Sequence, residues 1–403
     1  MPKPVVIVGA LDTKGDEFRF VRDLIRARGL ETIVVDFGVL GDPPFKPDVP
    51  ADEVAKAGGS TIAELRAGKD KARAMQVMAE GLARVVKNLY ESGRLGGILG
   101  MAGSGGTSIA TTAMRELPVG VPKVMCSTVG GGDVSNYVGI KDITMMPSVV
   151  DVAGINSISR RIYANVAGAI AGMVSQELPE LKEAKPLITA SMFGNTTPCV
   201  NRAREALEKK GYEVLVFHAT GTGGKTMEGL IASGYIAANL DITTTELADY
   251  VCGGVMSAGP DRMMAAARAG IPTVLVPGCV DMCNFWEIDA VPEKYRGRNL
   301  YRWNPNVTLM RTNVEENVTM GKMIAAAANA STGPVAVLIP LKGVSQLDSP
   351  GGPYWDPEAD RACYKAIKDN LKPGIPYIEM DNNINDPEFA DKSVELLLGM
   401  MKK

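Results

Sequence analysis

Two stretches of the chain share one layout, and that duplication restricts the fold more than any compositional figure. "PVVIVGALDTKGDEFRFVRDLIRARGLETIVVDFG" reads as a β-branched run, a glycine turn, an amphipathic helix, a stop at Gly29 and a second apolar run ending in Asp36. "PLITASMFGNTTPCVNRAREALEKKGYEVLVFHATG" repeats it: strand 187–192, turn, helix 198–210, stop at Gly211 and strand 213–218. Each is a βαβ unit, which demands a parallel strand pair with the helix on one face.

A second correspondence extends the duplication. "GGILGMAGSGGTSIATTAMRELPVGVPKVMCSTVGGG" and "GGVMSAGPDRMMAAARAGIPTVLVPG" both read as strand, glycine loop, helix, Gly-Val/Ile-Pro and strand. The first half carries additional residues, assigned to the segment from Val39 to about Asp70. The expected architecture is α/β, with two Rossmann-like doubly wound parallel-sheet domains and a ligand cleft between them. The boundary falls in "ELPELKEAKP", residues 177–186, giving domains 1–184 and 185–403. A helix from about Ile155 to Gln176, rich in Ala and Gly, suits either a core position or a homodimer interface. The chain ends with strand 335–339, helix 358–371, strand 375–379 and an amphipathic helix. The connection "PLKGVSQLDSPGGPYWDP" is long enough to suggest a lid or a partner contact.

Composition removes several functional classes. A length of 403 residues suits two cores, and no run reaches the roughly 18 apolar residues of a membrane helix. The N-terminal "MPKPVVIVGALDTKG" lacks the apolar core of a secretory signal, so a cytoplasmic location is expected. The six cysteines show no CxxC pair and read as reduced thiols. A net charge of −3 without basic clusters argues against nucleic acid as a partner. One histidine, His218, leaves no multi-histidine metal centre and a single imidazole general base. Cys279, Asp281 and Cys283 as a metal site, or Ser345 as a nucleophile, are weaker readings. No metal centre is assigned.

Parallel sheets bind ligands at the carboxyl ends of their strands, where helix N-termini present free amides. After the first strand comes Asp12-Thr13-Lys14, which puts a hydroxyl and an ammonium at a helix start. After strand 96–100 come Gly103, Ser104, Gly105, Gly106 and Thr107. After strand 123–126 come Thr128, Gly130, Gly131 and Asp133. Three loops of one domain thus point to an anion site. The second domain offers Gly221, Gly223, Gly224 and Lys225, whose "ATGTGGKT" fits the permissive form of the P-loop pattern. A phosphate- or carboxylate-binding turn explains that stretch better, because little helix fits before Gly234. His218 and Asp241, which ends an apolar run as a Walker B aspartate would, are the catalytic candidates. His218 also suits a structural role.

"GALDTKGDEF", "GMAGSGGTSIAT", "STVGGGDVSNYVG", "DITMMPSVVDVAGINSISRRI", "FHATGTGGKTMEGLI", "LDITTTELAD" and "PLKGVSQLDSPGGPYWDPEAD" together resemble an ATP-binding family typified by the N-terminal domain of a plant tobamovirus-resistance protein. The resemblance covers essentially the whole chain. It implies two Rossmann-like subdomains, ATP, with or without Mg²⁺, as the cofactor on the loops of the first domain, and a homodimer. It also implies a separate partner similar to phosphoenolpyruvate-mutase-like barrels, which this sequence lacks. On that reading Lys14 and Lys225 neutralise phosphate, Asp133 or Asp241 holds Mg²⁺, and a second anionic small molecule faces residues 218–226. Two readings remain: an ATP-dependent enzyme of small-molecule metabolism, or a two-lobed module that senses a nucleotide or sugar phosphate without turnover.

Overall fold

The computed structural model describes residues 2–177 and 184–402. The chain divides into two compact units, Met1–Glu180 and Leu181–Lys403. Most of the expected linker, 177–186, lies outside the described residues.

Unit 1 runs β1 (Val5–Gly9), α1 (Leu11–Arg26), β2 (Thr32–Asp36), α2 (Ala51–Ala57), α3 (Ile62–Gly68), α4 (Lys71–Glu91), β3 (Gly97–Ala102), α5 (Ser104–Glu116), β4 (Lys123–Ser127), α6 (Ser135–Val138), β5 (Thr144–Pro147) and α7 (Ser159–Ser175). Its five strands are parallel in the order β2-β1-β3-β4-β5. Every residue of β1 to β4 is buried, which explains why they read as unbroken apolar runs without alternation. Helices cover both faces. α4 and α5 pack over Val6, Val8 and Ile98, while α1 and α7 cover Val5, Ile7 and Leu99. The additional segment of the first half contains α2 and α3.

The helix expected from Ile155 begins at Ser159 instead. The Asn156 side chain accepts the amides of Ile158 and Ser159, both at 2.9 Å, and this local bonding competes with an earlier helical turn. α7 buries Tyr163, Val166 and Ile170 in the core of unit 1.

Unit 2 runs β6 (Leu187–Met192), α8 (Thr197–Glu208), β7 (Glu213–His218), α9 (Thr222–Ala232), β8 (Ile236–Thr243), α10 (Glu246–Cys252), α11 (Met264–Ala269), β9 (Thr273–Gly278), β10 (Met282–Phe285), β11 (Leu300–Asn304), β12 (Val307–Arg311), α12 (Val314–Ala330), β13 (Val335–Pro340), α13 (Pro357–Asn370), β14 (Tyr377–Met380) and α14 (Pro387–Met401). Its parallel sheet has the order β14-β13-β9-β8-β6-β7. Counted from its own first strand, the first five strands of this sheet have the same winding as those of unit 1, so the duplication read from the sequence is a duplication of topology.

Two sequence expectations fail here. Residues 254–257 are a turn and not a strand: Gly253 closes α10 in the left-handed region, at φ 75°, and the Asp249 carboxylate accepts the Met256 amide at 3.1 Å. The counterpart of β3 is β8. A three-stranded antiparallel sheet, β10-β12-β11, is inserted before α12 and was not expected.

Candidate functional site

In unit 1, β1 is flanked by β2 on one side and β3 on the other, so the loops leaving β1 and β3 diverge. A crevice must open at their carboxyl ends, as in the doubly wound order 2-1-3-4-5 generally. A cavity of about 940 Å³ occupies it. Its walls are the turn after β1, the segment Phe37–Leu40 after β2, the α3–α4 corner and the first turn of α5.

α5 presents its N-terminus to this cavity. Gly103 is the N-cap, in extended backbone at φ −74° and ψ −175°, and no side chain caps the helix. The next residues, Ser104, Gly105 and Gly106, line the cavity. A Cβ on Gly106 would come within 2.6 Å of the Ala102 Cβ, so only glycine allows this tight entry to α5. Thr107 is buried and faces away. Its hydroxyl bonds the Gly103 carbonyl at 2.9 Å and the Ser127 hydroxyl at 2.7 Å, bracing the turn from behind.

The first loop behaves differently from the expected phosphate cradle. The first amide of α1, on Leu11, donates to Asp36 Oδ1 at 3.0 Å, so a carboxylate of the chain itself already occupies that helix start. Burial raises the Asp36 carboxyl above its ordinary value, partly offset by the amides of Leu11 and Gly38. Asp12 pins the wall after β2: its Oδ2 accepts the amides of Leu40 at 2.7 Å and Gly41 at 3.1 Å. Lys14 lines the cavity while its ammonium donates to the Val152 carbonyl. Thr13 is exposed at the margin.

No motif in the sequence marks the residues that make most of the cavity wall. Phe37, Leu65, Met75, Met78 and Ile109 form an apolar side, and Lys69 and Lys71 bring ammonium groups. Arg66 supports the same wall by donating to the carbonyls of Val39 at 2.6 Å and Gly41 at 2.8 Å. A methionine at helical spacing looks like core, and Leu65, Arg66 and Lys69 belong to the segment whose role the duplication left blank.

The third loop stops short. Thr128, Gly130, Gly131 and Asp133 do not line the cavity. Gly130 packs on the backbone of Met146 and Pro147. Asp133 is exposed and accepts the Ser135 amide at 2.9 Å; hydrogen bonding from Ser135, through its side chain first and then this amide, lowers the carboxyl below the usual value.

In unit 2 the glycine-rich turn is filled from within. Gly221, at φ 82°, and Gly224 both donate their amides to Glu246 Oε1, at 2.7 and 3.1 Å. Gly223 lies so close to the His218 carbonyl that a Cβ would sit 1.8 Å from it. The amides expected to hold an external anion therefore hold a buried glutamate, and Lys225 is exposed beside them. Arg262 neutralises this glutamate at 2.6 Å and pairs with both oxygens of Asp241.

The expectation that Asp241 is a catalytic or Mg²⁺-holding carboxylate is corrected accordingly. It has no exposed surface and both its oxygens are engaged. His218 is exposed, with its ring 5.3 Å from that of Phe193. β6 separates β7 from β8, so His218 and Asp241 sit on strands about 9.5 Å apart and do not form a pair. At the winding reversal of unit 2, Asn195, Thr196 and Thr243 to Glu246 are all fully buried. The equivalent of the cavity of unit 1 is thus closed by the chain's own side chains. Among the described residues no group of three or more His, Cys, Asp or Glu could hold a metal ion, and no helix is long and apolar enough to cross a membrane.

Comparison with known proteins covers nearly the whole chain. Residues 3–179 match the model described as "Uncharacterised protein family (UPF0261) N-terminal domain", and residues 185–401 match that of its C-terminal domain. A UPF0261 protein of Clostridium tetani is 52% identical, over 100% of both chains. One of Rhizobium meliloti is 45% identical, over 97% of this chain and 98% of its own. The ToMV resistance protein Tm-1(GCR237) of Solanum lycopersicum is 37% identical over 99% of this chain, which spans 56% of that protein. Among solved structures, UDP-N-acetylglucosamine 2-epimerase from Rickettsia bellii aligns over 100% of this chain and 98% of its own, at 10% identity and a TM-score of 0.25, too slight a likeness to carry an argument. Matched in both units by the family's two domain models, the chain belongs to the UPF0261 family.

Proposed function

We propose that the cavity of unit 1 binds a phosphate-bearing nucleotide, with ATP as the ligand that the family resemblance favours. The observation that carries this is the uncapped N-terminus of α5 opening into a cavity of about 940 Å³ at the winding reversal of the sheet. That volume lies within the range of about 300–1,000 Å³ typical of small-molecule sites. Phosphates would accept from the amides of the first turn of α5 and take charge from Lys14, Lys69 and Lys71. The base would lie against Phe37, Met75 and Met78. A Mg²⁺ ion arriving with the phosphates would meet Asp12 and Asp151, two of the three carboxylates lining the cavity, and Asp12 Oδ1 is buried without a hydrogen-bond partner.

Binding without turnover is the second reading, favoured by one observation: His218 and Asp241, the expected catalytic pair, lie in unit 2 on separated strands. A cytoplasmic location, expected from the N-terminal sequence, a second anionic small molecule near Lys225, expected from the charge of that loop, and a homodimer and a phosphoenolpyruvate-mutase-like barrel partner, expected from the family resemblance, remain part of the proposal.

Gly105→Asp tests the site. A Cβ there meets only the Met75 side chain, at 3.4 Å, and an aspartate in the first turn suits the helix dipole, so the fold is retained. Isothermal titration with MgATP should show binding to the parent chain and at least about a tenfold loss, roughly 1.4 kcal/mol, in the variant. Equal affinities would remove α5 from the site.

A further inference from the structure

The long connection after β13, residues 341–356, is not the free lid its length suggests. Val344, Ser345, Leu347, Asp348 and Tyr354 are buried. Ser345 Oγ accepts the amides of Leu347 at 3.0 Å and Asp348 at 2.9 Å, and donates to Asp281 Oδ2 at 2.8 Å. Arg311, at the end of β12, donates to the Tyr354 carbonyl at 2.8 Å. The same guanidinium reaches Asp360 Oδ1 on α13 at 2.6 Å and Asp348 Oδ1 at 3.6 Å.

The charges around this docking point do not balance. Asp281, Asp348 and Asp360 are at most 3% exposed, and among the described residues Arg311 is the one cation within salt-bridge distance of any of them. The other groups facing them are Cys279 beside Asp281, Tyr354 in the connection, and Cys363 and Tyr364 on α13. Burial, the largest effect at all of these, raises these thiols and phenols and keeps them neutral. One oxygen of each carboxylate, Asp281 Oδ1, Asp348 Oδ1 and Asp360 Oδ2, is buried with no hydrogen bond. An ionised carboxylate in that state is costly, whereas a protonated one can donate to its neighbour.

We infer that this centre is a proton-operated latch: residues 343–356 stay docked while the carboxylate trio holds its protons, and loosen when it gives them up. Burial and the Asp348 charge push Asp281 up to about 7 and Asp360 up to about 8, which sets the transition near neutral pH. These folded-state values lie above the 3.8 of a free aspartate, so docking is fully stabilised below that value and the stabilisation is lost as pH rises through about 7 to 8. Within the window the opening equilibrium rises by up to about tenfold per pH unit for each proton released.

Hydrogen exchange on the full chain between about pH 5.5 and about pH 7.5, corrected for intrinsic rates, reads this directly. Protection of 343–356 should fall by about tenfold or more across the range. In Asp360→Asn the amide can accept from Arg311 and donate to Asp348 as the protonated acid would, so the dependence should shrink. Constant protection in the parent chain, or an unchanged slope in the variant, overturns the latch. Should the variant fail to fold, infrared titration of the Asp249→Asn chain, which removes the other carboxyl raised to about 7, decides: a protonated-carboxyl stretch that disappears over this range is expected, and its absence throughout overturns the proposal.

Discussion

Arg262 and Asp241 meet fork to fork inside unit 2, with Nη1 2.6 Å from Oδ2 and Nη2 2.7 Å from Oδ1. Glu246 takes Nε of the same guanidinium at 2.6 Å, and Glu228 takes Nη1 at 3.3 Å. Three carboxylates are thus bound to one cation, and Glu246 passes that charge on to the glycine turn at 221–224. Replacing Arg262 by Met removes the cation and leaves the acids buried. The expected cost is about 3–5 kcal/mol, because an uncompensated buried charge remains. Calorimetry should show the loss in the transition of unit 2, and a loss below about 1 kcal/mol would mean that the network is dispensable.

The sequence discloses repeats more readily than occupants. The βαβ units were legible because strands buried on both faces give unbroken apolar runs and because Gly29 and Gly211 stop the helices between them, both of them local signals. Glu246 lies 25 residues from Gly221, and nothing local announces that its carboxylate fills the turn. The β10-β12-β11 sheet was missed for a related reason. β11 exposes Tyr301 and Trp303 and buries nothing fully, so no apolar run marks it as a strand.

Gly38 and Asp12 give the cavity wall its own test. A Cβ on Gly38 would lie 2.5 Å from Asp12 Oδ1 and 2.6 Å from its Cγ, so Gly38→Ala must displace the carboxylate that holds the Leu40 and Gly41 amides. Freeing two such bonds costs about 1–3 kcal/mol locally and should weaken MgATP binding by about tenfold. Gly41→Ala is the control, since its Cβ approaches only the Asp12 Cβ, at 3.8 Å. Equal effects from the two substitutions would show that Asp12 does not shape the site.

Asp249 supplies a second pH dependence, separate from the carboxylates around Arg311. It is fully buried, with Oδ1 accepting the amides of Met256 and Asn284, both at 3.1 Å, and Oδ2 accepting Asn284 Nδ2 at 2.7 Å. Burial pushes its carboxyl up to about 7. A raised folded-state value means that the native state retains a proton the unfolded chain releases. Its contribution is therefore complete below the 3.8 of a free aspartate and lost as pH rises through about 7. In Asp249→Asn the Asn284 amide can turn its unpartnered Oδ1 toward the new donor, so the fold tolerates the change. Chemical denaturation from about pH 5 to about pH 8 should give a shallower loss of stability in the variant than in the parent. Parallel curves would assign the dependence elsewhere.

Every residue lining the cavity belongs to unit 1, and that unit has two apolar cores of its own, one on each face of its sheet. A ligand held in a cleft between domains would need both units; a ligand held at the β1–β3 reversal needs one. Residues 2–177 produced alone should therefore fold, give a cooperative melt and bind MgATP as tightly as the full chain. Residues 184–402 should not bind, because the corresponding reversal is filled by Asn195, Thr196 and the run from Thr243 to Glu246. Circular dichroism establishes the folding of each fragment and calorimetric titration its affinity. A folded unit 1 that has lost about a hundredfold in affinity, roughly 2.8 kcal/mol, would refute the single-unit site and return the ligand to a surface shared by both units.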